Sequence, residues 1–97
     1  MIRVNYNDKV IKVSGHAEFD NYGKDIVCAS VSSIIYTTVN GILNINKDAI
    51  KFVDNKDITI QILNDDEITM KLINNMLELL IELEKQYPKN IKISKGE

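Results

Sequence analysis

Apolar and polar residues alternate along Ile2-Arg3-Val4-Asn5-Tyr6, the period of a strand with one buried face. Val10-Ile11-Lys12-Val13 is short, β-branched and bounded by Asn7-Asp8 and Ser14-Gly15, which predicts a second strand. The short turn between the two predicts a hairpin. From residue 25 onward the period lengthens: Val27, Val31, Ile34, Ile35, Val39 and Ile42 recur at helical spacing. Asp25 is a good N-cap residue, so a helix is predicted from there to about Asn40-Gly41, with room for another turn beyond. Its outer positions (Ser30, Ser33, Thr37) are poor helix formers, so packing has to hold it.

A second hairpin follows, with strands over 49–53 and 58–62 around the turn Asp54-Asn55-Lys56-Asp57. Asn64 and Glu67 read as a capping pair before a helix from about Asp65 to Gln86. Pro88 stops that helix, and Ile91-Lys92-Ile93 is long enough for a last short strand. The order is ββαββαβ. It predicts an α+β fold, a mixed or mainly antiparallel sheet with two helices, in a single small domain over residues 1–97.

The second helix is apolar over more than one face. Ile68, Leu72, Met76, Leu79, Leu80 and Leu83 form one stripe, and Met70, Ile73, Leu77 and Ile81 widen it to roughly 220° at about 100° per residue. Burial between the sheet and the first helix would use such an arc; so would a homodimer interface.

Composition changes this picture little. The apolar fraction of 44% and the scarcity of glycine and proline fit a globular chain. A net charge of −2 argues against nucleic acid as a primary partner, and the basic end (Lys89, Lys92, Lys95) reads as a solvated tail. No apolar run stands out as long enough to span a bilayer, and Met1-Ile2-Arg3-Val4 lacks a signal-peptide pattern. One cysteine forbids an internal disulfide, which fits the reducing cytoplasm. One Cys and one His are too few for a tetrahedral zinc site, so neither metal nor other cofactor is expected.

The chemistry concentrates between residues 15 and 28, which hold the only histidine, His16, and the only cysteine, Cys28. His16 falls just past the second strand. Cys28 falls at the third position of a helix capped by Asp25, near unpaired N–H groups and the positive end of the helix dipole. Both favour a thiolate, the attacking form. On a helical wheel Cys28 and Ser32 share the edge of the apolar stripe, where a sulfur is half covered yet open to substrate. Against this stands a plainer account, in which the cysteine is a small core hydrophobe and the histidine a surface loop residue.

The residues Gly15-His16-Ala17, Tyr22-Gly23, Asp25-Ile26-Val27-Cys28-Ala29 and Val31-Ser32 resemble the signature of the ribosomal-processing cysteine proteases, the Prp family. The likeness extends to Gln86-Tyr87-Pro88-Lys89 and Ile91-Lys92-Ile93 near the C-terminus. Glu18 and Ser30 depart from the small residues usual there. The resemblance implies that His16 and Cys28 form a catalytic dyad, with Asp25 and Ser32 in support. It implies a homodimer and a defined substrate: the short N-terminal extension of large-subunit ribosomal protein twenty-seven, removed during ribosome maturation. Gly15 and Gly23 would flank a peptide-gating loop over 17–24. A non-catalytic module that binds the same ribosomal-protein peptide without cutting it is the alternative; a dithiol redox role is disfavoured by the lack of a second cysteine.

Overall fold

The computed structural model describes residues 1–15 and 22–96, with the backbone alone for 22–25. Seven elements follow in the expected order: β1 (Ile2–Tyr6), β2 (Val10–Ser14), α1 (Tyr22–Ile45), β3 (Ile50–Asp54), β4 (Ile58–Ile62), α2 (Glu67–Gln86) and β5 (Ile91–Lys95). They build a five-stranded mixed sheet of order β3-β4-β2-β1-β5, with one parallel pair, β1 with β5. Asn7 closes the first hairpin: its Oδ1 accepts from the N–H groups of Lys9 and Val10 at 2.8 and 3.0 Å.

Side-chain alternation divides the sheet into two faces. Ile2, Val4, Ile11, Val13, Ile50, Ile58, Ile60 and Ile91 point to the side carrying both helices and are buried. Each such aliphatic side chain contributes roughly 1.5–3 kcal/mol relative to exposure. The helices also pack against each other. α1 takes the chain from β2 to its parallel neighbour-but-one β3, and α2 takes it from β4 to β5. Because consecutive elements reverse direction, the N-terminal end of α1 and the C-terminal end of α2 share the end of the sheet where Ile2 and Ile91 pair.

α1 starts earlier than expected and runs through the further turn allowed beyond Gly41, to Ile45. Its hydroxylated composition is accommodated by back-bonding: Ser30 Oγ donates to the Ile26 carbonyl and Thr38 Oγ1 to that of Ile34, both at 2.9 Å. Tyr36 meets Phe52 of β3 edge-to-face, ring centroids 5.3 Å apart, which ties the helix to the outer strand. The expectation about bilayer-length runs needs correction here. Residues Ile26–Ile45 carry no charge, and with a mean hydropathy of 1.6 they are long and apolar enough, by length and composition, to cross a membrane. The interspersed Ser, Thr and Asn disguise this in the sequence. In this structure Val27, Val31, Ile35, Val39 and Ile42 pack into the core.

The cap of α2 is also reassigned. Asp66, not Asn64, is the N-cap: its Oδ1 accepts from the Thr69 N–H at 2.8 Å and its Oδ2 from the Thr69 hydroxyl at 3.1 Å. The buried side of α2 is Thr69, Ile73, Met76, Leu77, Leu80 and Leu83, whereas Ile68 and Leu79 are 55% and 46% exposed. The wide arc is therefore only partly used inside this chain.

Candidate active site

β2 delivers the chain to one end of the sheet, and Gly15 redirects it there. Gly15 has φ +78°, a left-handed conformation that L side chains rarely adopt, and a Cβ at this position would overlap the carbonyl oxygen of Met1. Glycine is therefore required twice over, by dihedral and by space. The Ile2 N–H in turn donates to the Asn90 carbonyl at 2.9 Å, so β1 and the approach to β5 brace the same corner. His16 is the next residue. It, like the rest of 16–21, lies outside the described residues.

α1 begins at Tyr22, three residues earlier than expected. Asp25 is its fourth residue, not its N-cap, and Gly23 is its second, inside the first turn and not in the flanking loop. The cause is that a good capping residue need not cap: Asp in a first turn is also stabilised by the helix dipole, and the helix extends past it toward the sheet end. Cys28 becomes the seventh residue. Its N–H is beyond the four that a helix start leaves unpaired, and its sulfur stands in the second turn, where the dipole has largely decayed. The Cys28 amide is therefore not available as an oxyanion donor.

Burial is also deeper than half. Cys28 is 8% exposed and belongs to the core cluster with Val27 and Val31, while Ser32, one turn on, is half-buried. Cys28 thus packs with the core side of α1, not on a half-open edge. A cleft of about 310 Å³ lined by Tyr6, Ile62, Met70 and Leu77 lies at the opposite end of the sheet and holds none of the candidate residues.

A model of the family described as cysteine protease Prp matches residues 1–92. The chain belongs to that family. It is a cysteine protease by that membership. A relative from Staphylococcus aureus, a ribosomal processing cysteine protease Prp, is 34% identical over 96% of this chain and 93% of its own length. The Mycoplasma genitalium protein of the same name is 41% identical over 58% of this chain and 54% of its own. In fold, the chain is similar to the crystal structure of Staphylococcus aureus Prp in complex with a substrate peptide: TM-score 0.92 at 24% identity, covering 99% of this chain and 100% of that one. The ββαββαβ order and the mixed sheet are thus those of Prp.

The local pattern placed Cys28 on α1, where it lies, but missed how tightly Gly15 is held. The signal was present: a glycine directly after a strand and directly before the only histidine.

Proposed function

We propose that this chain is an endopeptidase that removes the short N-terminal extension of large-subunit ribosomal protein twenty-seven, with Cys28 as nucleophile and His16 as general acid and base. The observation that supports this reading is the family match over residues 1–92, a span that contains the chain's only cysteine and only histidine. The name of the Staphylococcus aureus relative, a ribosomal processing protease, supports the substrate class.

His16 takes the Cys28 proton, and the thiolate attacks the scissile carbonyl carbon. The tetrahedral intermediate collapses as His16 returns the proton to the leaving amine. Water, deprotonated by His16, then cleaves the thioester and releases the new carboxylate. Since Cys28 sits in the second turn of α1, the burden of generating the thiolate falls on the imidazole more than on the helix. With capping removed from its duties, Asp25 is assigned the orientation of His16. The Ser32 hydroxyl, one turn beyond Cys28, is assigned a supporting polar contact. Gly15 serves as a fixed pivot for the segment that closes over the peptide.

The working protein is a homodimer in the reducing cytoplasm, which keeps the single thiol reduced. Ile68 and Leu79, exposed on α2, support the interface. The decisive experiment incubates the chain with the full-length precursor and reads the new N-terminus by mass spectrometry. Loss of a defined extension is expected. Binding of the extension peptide without any new N-terminus would overturn the protease reading in favour of a peptide-binding module.

A further inference from the structure

The strand pairings bring together a feature that the linear sequence scatters. Arg3 on β1, Lys12 on β2, Lys51 on β3 and Lys92 on β5 all occupy the face of the sheet turned away from the helices, and all four are exposed. The rest of that face is Val10, Val53 and small or amide polar residues such as Asn5 and Gln61. Among the described residues no Asp or Glu takes an outward position within a strand; they lie in turns, at strand ends and on the two helices. No ion pair joins any of the four cations to a carboxylate among the described residues. A net charge of −2 thus hides a sheet face whose charged strand residues, among the described residues, are all cationic.

One contact on that face is costly as it stands. Arg3 and Lys92 are direct partners in the parallel pairing of β1 with β5, and like charges directly opposite each other destabilise a sheet. Beside Lys12 lies a shallow hollow of about 190 Å³, bordered by Asn5, Val10 and Gly96. Exposed cations spread over the face, with amide and hydroxyl side chains between them, complement a polyanion. The near absence of apolar side chains disfavours a lipid surface, where anchoring needs buried apolar groups.

We propose that the outer face of the sheet docks the phosphate backbone of RNA, with Arg3, Lys12, Lys51 and Lys92 as the phosphate contacts. The choice of RNA as the polyanion rests on the ribosomal-protein reading above, since a ribosomal protein is itself a partner of RNA. The face is opposite the helices, so docking leaves Cys28 on α1 accessible to a peptide. The contacts carry no base specificity; they set orientation and raise local concentration.

The test titrates a fluorescein-labelled RNA stem-loop with the full chain by anisotropy. Four phosphate contacts give a slope of log K against log salt of about −3, or roughly a 60-fold loss over a four-fold rise in salt. Lys12→Ala and Lys51→Ala should each reduce the slope by about 0.7–0.9. Lys92→Glu separates docking from architecture: it converts the Arg3 pairing to opposite charges, so thermal stability should hold or rise while RNA affinity falls at least about ten-fold. All these variants should cut a free extension peptide at the wild-type rate.

RNA affinity unchanged in the variant lacking all four cations would overturn the proposal. So would a salt-independent affinity, or binding to phosphatidylserine vesicles with none to the stem-loop. Peptide cleavage is read separately. Cleavage without RNA binding removes the docking face alone, whereas RNA binding through these residues without cleavage removes the protease reading and leaves the face standing.

Discussion

Oε2 of Glu84 accepts the backbone N–H of Ile93 at 2.9 Å, joining the last turns of α2 to β5. β5 is an edge strand, and an open edge is a template for pairing with another chain. The carboxylate occupies one of its donors from a half-buried position.

Glu84→Ala should therefore destabilise the protein by about 1.5–3 kcal/mol, the range for a hydrogen bond to a charged group. Glu82, whose only role among the described residues is an exposed contact with Lys85 at 3.5 Å, makes the control. Glu82→Ala should stay within about 0.5 kcal/mol. Urea melts of the two variants that lose stability equally would remove the edge-capping role.

The two helix starts bear on what the sequence could reveal. Asn64, Asp65 and Asp66 are all competent caps, and pattern alone cannot choose among them. The structure selects Asp66 because Thr69 answers it twice, with N–H and with hydroxyl. Asp66→Ala should cost about 1 kcal/mol in thermal or urea melts. Asp25→Ala, at the fourth position of α1, should cost less than that yet lower cleavage of the extension peptide at least ten-fold, as a residue orienting His16 would. A stability loss equal to that of Asp66→Ala, with activity intact, would return Asp25 to a capping role.

All seven elements were legible because local period is a local property, and Val4, Ile11, Ile35 and Ile60 are buried as their positions in those patterns require. What was not legible is long-range. Nothing around Ile91-Lys92-Ile93 announces that β5 runs parallel to β1, and only that pairing places Lys92 against Arg3. At the site, the wheel put Cys28 on the edge of the stripe, half covered, whereas in the folded chain it is buried with the core. The hold of Met1 on Gly15 is a contact between residues fourteen positions apart, beyond any local pattern.

The exposed apolar side chains of α2 give a prediction about assembly. Ile68 and Leu79 leave large apolar surface in water, and burying both across a two-fold interface would recover roughly 1.5–3 kcal/mol per side chain if fully covered. Sedimentation velocity at micromolar concentration should find a dimer. Leu79→Glu should shift it to monomer without lowering the urea midpoint of the monomer itself. A wild-type chain that sediments only as monomer would remove the dimer from the proposal.

Gly15 gives a kinetic one. Gly15→Ala must either abandon φ +78° or push back the Met1 carbonyl, so the backbone has to move. The left-handed conformation alone costs a non-glycine residue about 1–2 kcal/mol. His16 follows immediately and moves with it. Stability should fall by at least that amount, and kcat should fall more than KM rises, because the peptide still binds while the base is displaced. A variant with lowered stability and wild-type kcat would show that Gly15 shapes the fold without positioning the histidine.

Cys28 and His16 should behave as one unit. Cys28 is nearly buried, so Cys28→Ala is preferred to Cys28→Ser, which would place a hydroxyl among Val27 and Val31. Cys28→Ala and His16→Ala should each reduce cleavage roughly 10³-fold or more. The double variant should be no worse than either single one, since residues that act together in one step lose their effect together. Thermal melts guard against a trivial loss: the alanine at 28 should cost about 1 kcal/mol in packing, too little to unfold the chain. Multiplicative losses in the double variant would mean that the thiol and the imidazole work in separate steps. Wild-type cleavage by either single variant would mean that the peptide bond is cut by some other group.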